Sequence, residues 1–102
     1  MTNKKRIEFD SLGPKKIDNG KLWGAQTQRS LENFKIGNEK IPHELIIAIG
    51  KQKKAAAQAN MHFGILNKKI GYHIVNACNQ IINLKLINEF PLMVWQTGSG
   101  TQ

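Results

Sequence analysis

The chain has 102 residues, 40% apolar and only 7% aromatic, which leaves room for one small domain with a modest core and excludes the disordered and fibrous classes. No apolar run approaches the roughly 20 residues of a membrane-spanning helix, and the single cysteine, Cys78, excludes an internal disulfide framework. The formal charge of +8 leaves three uses open: a nucleic-acid surface, steering of anionic metabolites, or a solvated exterior.

The opening residues carry Lys4, Lys5 and Arg6, but no apolar stretch follows and Glu8 and Asp10 arrive at once. That fits neither a secretory signal nor a mitochondrial presequence. With a lone cysteine, it sets a cytoplasmic location as the expectation. Residues 1–40 read as an irregular arm with short strands and a short helix. Ile7-Glu8-Phe9 alternates briefly, Ser11-Leu12-Gly13-Pro14 breaks the pattern, and Asp18-Asn19-Gly20 makes a turn. Leu22-Trp23-Gly24 is then expected as a second strand pairing with the first. A helical turn is expected over Thr27 to Phe34, with Thr27 as its cap and Leu31 and Phe34 on one face.

Residues 41–86 read as a helical hairpin. Pro42 suits the first helical position and Glu44 the positive first turn. Leu45, Ile49, Ala56, Ala59 and Phe63 form the expected buried stripe, and Gly64 can take the left-handed stop. Gly50 weakens the middle by roughly 1 kcal/mol relative to alanine, so this helix must rely on packing. The second helix runs from Asn67, a candidate N-cap, to about Asn83, with Ile70, Ile74, Ala77 and Ile81 as its face and Cys78 and Ile82 widening it. Two helices alone cannot cover stripes this wide. Residues 87–102 close the chain: Glu89-Phe90-Pro91 ends the helical pattern, Leu92-Met93-Val94-Trp95 is a short extended run, and a glycine-rich loop follows.

That last loop is the best candidate for chemistry. Gly98 and Gly100 let backbone approach a ligand closely, Ser99 and Thr101 bring hydroxyl donors, and consecutive N–H groups can form an anion nest. By composition alone a flexible tail is the favoured reading, because short Gly/Ser/Thr runs are common linkers. His43, His62 and His73 lack metal-ligand spacing, Cys78 has no cation beside it in sequence, and the carboxylates form no pair. No phosphate-binding loop, dinucleotide fingerprint or zinc motif occurs. The basic residues are scattered without interleaved aromatics, which disfavours a nucleic-acid surface.

Several segments, taken in order, resemble the N-terminal region of class II fumarases. They are Phe9 to Gly13 after Glu8, an intact Leu-Trp-Gly-Ala-Gln-Thr-Gln-Arg-Ser stretch at Leu22 to Ser30, Asn33 to Gly37, Lys53 to Ala57 with Asn60, Glu89 to Leu92, and Trp95 to Gln102. Aspartate ammonia-lyases share the architecture but typically show other residues in place of Trp23 to Thr27 and Thr97 to Thr101. The resemblance implies a mainly α chain: the N-terminal domain of the fumarase/aspartase fold over 1–102, without the family's central helix bundle. It implies reversible hydration of fumarate to (S)-malate in the tricarboxylic acid cycle, with no metal or organic cofactor, in a homotetramer. Ser99, Gly100 and Thr101 match positions that bind a substrate carboxylate. The family's acid and base match nothing in these residues, so the isolated chain is expected to be inactive. Where relatives usually carry a glycine, a basic residue and an aspartate before the Phe-Pro segment, this chain reads Asn83-Leu84-Lys85-Leu86-Ile87-Asn88, and the missing glycine should lengthen the second helix or alter its exit. The rival readings are an aspartate ammonia-lyase-like enzyme and a small basic nucleic-acid-binding module. No membrane or nucleic-acid partner is expected under the fumarase reading.

Overall fold

A computed structural model describes residues 4–95. The chain is mainly helical, with a two-stranded sheet, and divides into two units: residues 1–41 with 88–102, and residues 42–87.

The first unit opens with an antiparallel hairpin of β1 (Lys5–Asp10) and β2 (Gly13–Asp18), in the register Lys5 opposite Asp18 and Asp10 opposite Gly13. Ser11 and Leu12 form the connection. Gly13 takes a φ of 112°, and the Leu12 N–H donates to Asp10 Oδ1 at 2.9 Å. The strand expected at Leu22-Trp23-Gly24 does not form. The partner of β1 is the next stretch along the chain, which the tight connection folds back at the lowest loop-closure cost. The carbonyls of Lys21 and Trp23 are instead taken by the Arg6 guanidinium, each at 2.7 Å. The turn at Asp18 is present, with the Lys21 N–H donating to the Asp18 carbonyl at 3.0 Å.

Helix α1 (Ala25–Asn33) begins earlier than the pattern predicts. Gly24 is its N-cap, with no side-chain cap bond, so Thr27 lies inside the first turn. A 3-10 turn spans Ile87–Glu89, where the chain passes from the second unit back to the first, and Met93 makes an isolated antiparallel bridge to Lys40. The expected extended run from Leu92 to Trp95 is therefore a single bridge followed by a turn at Val94 and Trp95.

The second unit is the helical hairpin, α2 (His43–His62) and α3 (Lys68–Ile82). Pro42 sits one place earlier than expected, as the N-cap of α2. Gly64 takes a φ of 73°, and its N–H donates to the Met61 carbonyl while the Ile65 N–H donates to that of Asn60. This is a paired glycine stop. Asn67 caps α3, its Oδ1 accepting from the Lys69 N–H at 2.8 Å.

The buried faces differ from the expected stripes. In α2 the buried residues are Ile46, Gly50 and Ala57, and in α3 they are Gly71 and Cys78. Leu45, Ile49, Phe63, Ile70 and Ile74 are exposed. The reason is close approach: Cβ atoms at Gly50 and Gly71 would meet the Ile81 and Met61 side chains, so the glycine faces turn inward. Leu45, Ile49, Ile70 and Ile74 lie away from these contacts.

Candidate functional site

The first unit is held by charged groups turned inward. Arg6 donates from Nε to Glu8 Oε2 at 2.7 Å and from its terminal nitrogens to the carbonyls of Asp18, Lys21 and Trp23. One planar fork thereby ties the hairpin to the segment entering α1. Arg29, from α1, donates to Asp10 Oδ2 at 2.8 Å and to the Gly13 carbonyl at 3.1 Å. The Asp10 carboxyl is only 8% exposed. The Arg29 hydrogen bond holds it below its ordinary pKa, against the opposing effect of desolvation, with the Leu12 and Gly13 N–H groups adding to the depression.

A second line of polar groups runs through the Leu22 to Ser30 stretch. Trp23 Nε1 donates to Gln28 Oε1 at 2.8 Å, and Gln28 Nε2 donates to Glu32 Oε2 at 2.6 Å. The other Glu32 oxygen pairs with Lys15 of β2. The hydrogen bond from Gln28, then that from Lys15, holds Glu32 below the usual glutamate range. Ser30 is 3% exposed, and its Oγ has no partner among the described residues. The intact stretch thus works internally: Trp23, Gln28 and Arg29 fasten the arm to α1, and Arg6, Lys15 and Arg29 spend their charge on partners within the chain. That removes three cations from any anion-binding surface.

The approach to the glycine-rich loop is built from the segment after α1. The Val94 N–H donates to the Glu39 carbonyl at 2.7 Å, beside the Lys40–Met93 bridge. Gly37 lies against the Trp95 indole in a left-handed conformation, φ 75°. Leu31, Phe34, Lys35, Gly37, Asn38, Leu92 and Met93 line a cavity of about 360 Å³ at this place. Its walls are mostly apolar, with Lys35 as the one cationic group.

The sequence-derived site residues Ser99, Gly100 and Thr101 lie outside the described residues. Among the described residues, no group of three or more His, Cys, Asp or Glu side chains could hold a metal ion. His43 begins α2, His62 ends it with its ring edge-on to Phe63 at 5.2 Å, and His73 is exposed on α3. Cys78 is a free, buried thiol. No helix among the described residues is long and apolar enough to cross a membrane. Sequence reasoning missed Arg6, Arg29 and Gly37 as organising residues. Arg29 and Gly37 stand inside the resembling segments, which was the available signal; Arg6 carried none.

A family model described as lyase matches residues 13–102. Class II fumarate hydratase of Helicobacter pylori strain J99 is 54% identical over 97 residues, covering 95% of this chain and 21% of that protein. The same-named protein of Rickettsia bellii is 52% identical over the whole chain and 22% of its own length. Among solved structures, recombinant class II fumarase from Schistosoma mansoni superposes with a TM-score of 0.92 at 37% identity, over 96% of this chain and 21% of that one. The chain therefore spans about a fifth of the length of the curated relatives it matches.

Proposed function

This chain belongs to the lyase family, in its class II fumarate hydratase branch, and we propose that the protein carrying it hydrates fumarate reversibly to (S)-malate. The observation carrying this reading is the identity of 54% to class II fumarate hydratases over 95% of the chain. Residues 1–102 serve as the N-terminal part, organised as the arm 1–40, the hairpin 41–86 and the loop segment 87–102. Ser99, Gly100 and Thr101 grip a substrate carboxylate.

The chemistry explains that choice of residues. Water adds across the double bond as hydroxide at one carbon and a proton at the other. Between those events, negative charge gathers on the carboxylate next to the protonated carbon. Fixed hydroxyl and N–H donors stabilise that charge without reorganising, which is where such a loop accelerates the reaction. Gly100 between Ser99 and Thr101 lets backbone N–H groups reach the same oxygens. No residue of this chain is assigned as the acid or base. Work in the tricarboxylic acid cycle, a homotetrameric assembly, a cytoplasmic location and independence of metal or organic cofactors complete the reading. The neutralisation of Arg6, Lys15 and Arg29 inside the chain argues against the nucleic-acid alternative.

In the full-length protein, Ser99→Ala and Thr101→Ala should each lower kcat/KM about 10- to 100-fold, the worth of one hydrogen bond to a charged group. Fumarate absorbance in the ultraviolet reads this directly. Unchanged kinetics in both variants would remove the loop from the site. Addition of ammonia, rather than water, to fumarate would favour the aspartate ammonia-lyase alternative.

A further inference from the structure

The two edges of the β1–β2 hairpin are unlike. The Asn19 N–H donates to the Lys4 carbonyl at 2.8 Å, and Lys5 stands opposite Asp18. Bonded and non-bonded pairs alternate along an antiparallel ladder, so Arg6, Glu8 and Asp10 are the residues that bond across to β2. The backbone N–H and C=O groups of Lys5, Ile7 and Phe9 point the other way, out of the sheet. On β2 the outward groups belong to Pro14, Lys16 and Asp18. Proline has no N–H to offer a further strand, and proline and lysine are common guards of an edge. The β1 edge has no proline, and its Ile7 and Phe9 are 54% and 73% exposed. Among the described residues, β2 is the only strand paired with it.

The sequence of that edge complements itself when reversed. A two-fold axis at Ile7 sets Lys4 opposite Asp10, Lys5 opposite Phe9, Arg6 opposite Glu8, and Ile7 opposite its own copy. Opposite charges then face each other and like charges never do, which favours cross-strand pairing. Lys5 brings its ammonium to an aromatic ring. The same register makes bonded pairs of Lys5 with Phe9 and of Ile7 with Ile7, the residues whose backbone groups are free. We propose that β1 joins β1 of a second copy of this chain, antiparallel about Ile7, giving one sheet in the order β2-β1-β1-β2. Arg6 and Asp10 keep their bonds within the chain, so their charges select the orientation of the partner strand. A two-stranded hairpin is marginal alone, and adding strands with a shared apolar face stabilises it. The inference goes beyond the proposed activity and stands whichever reaction the protein catalyses.

The test uses the full-length protein with one cysteine introduced at a time. Cα atoms of a bonded antiparallel pair stand about 5.5 Å apart, within reach of a disulfide. Mild oxidation of Ile7→Cys should therefore double the chain mass on a denaturing gel, while Lys16→Cys on the other edge should run as a single chain. Lys5→Cys and Phe9→Cys should each stay single alone and cross-link when co-expressed, which keeps the register testable if Ile7→Cys fails to fold. Adding Ile7→Pro to that co-expressed pair should abolish the cross-link, because it removes an outward N–H and leaves the β1–β2 bonds in place. A single-chain mass for Ile7→Cys with the parent's circular dichroism would overturn the proposal. Equal cross-linking of Lys16→Cys would do the same, since it marks random collision. Capture of the new thiol by a cysteine elsewhere in its own chain, read by mass spectrometry, would assign the edge to the rest of the protein instead.

Discussion

Leu84 is the only non-glycine residue with a positive φ among the described residues, at 61°. It stands in the stretch before the Phe-Pro segment and takes the left-handed conformation that glycine favours. The Leu84 N–H donates to the Ile81 carbonyl at 3.0 Å and the Lys85 N–H to that of Gln80 at 2.9 Å, the same paired stop that Gly64 makes for α2. The missing glycine therefore does not lengthen α3, which ends at Ile82; the leucine accepts the strain instead. Left-handed backbone costs a residue with a Cβ roughly 1–2 kcal/mol, part of which glycine loses again to its freer unfolded chain. Leu84→Gly should thus exceed Leu84→Ala in stability by about 0.5–1 kcal/mol, both having lost the same partly exposed side chain. Denaturant unfolding of the two variants decides it. An alanine variant as stable as the glycine one would mean that the φ carries no strain.

At the scale of elements, α2 and α3 approach where each glycine faces a large apolar side chain of the other helix, Gly50 against Ile81 and Gly71 against Met61. A Cβ at Gly50 would lie 3.2 Å from Ile81 Cγ2 and 3.3 Å from Ile82 Cγ1, tight but open to a small adjustment. One at Gly71 would fall within the Met61 side chain, which would have to leave its place. Both changes to alanine gain about 1 kcal/mol in helix propensity, but only Gly71→Ala adds the full cost of overpacking, about 1–3 kcal/mol. Thermal unfolding should rank Gly71→Ala clearly below Gly50→Ala. The reverse order would show that Met61 yields freely. The element boundaries that depend on neighbours in sequence were legible beforehand: the Asn67 cap, the Gly64 stop and the turn at Asp18 all follow from local chemistry. The buried faces were not. Both helices carry apolar residues on more than one side, and periodicity does not reveal which side two small residues allow to close. Strand β2 was hidden for a related reason. Gly-Pro-Lys-Lys-Ile-Asp offers Ile17 alone as an apolar residue, and its pairing is set by the connection to β1 and by Lys15 and Asp18 finding partners.

At the scale of the whole chain, the family was legible because six separate segments agree in order and spacing, whereas the packing of Gly37 against Trp95 was not. Gly37 and Trp95 are far apart in sequence, and only the fold shows one seated on the other. The exposed side chains carry the last consequence. Leu45, Ile49, Ile70 and Ile74, which the sequence marks as stripes to be buried, stand 36–57% exposed on the hairpin. Exposed apolar side chains in such number bind hydrophobic probes and promote association. The chain also spans only about a fifth of the relatives it matches and has no residue assigned as acid or base. Purified residues 1–102 should therefore bind a hydrophobic fluorescent dye strongly. Replacing Leu45, Ile49, Ile70 and Ile74 by polar residues should cut that binding while helicity by circular dichroism persists, since these side chains lie off the Gly50–Gly71 contact line. The same preparation should leave fumarate absorbance unchanged with malate as substrate. Measurable conversion by the isolated chain would mean that these residues hold a complete acid–base set. Weak dye binding would mean that the exposed stripes are covered within the chain itself.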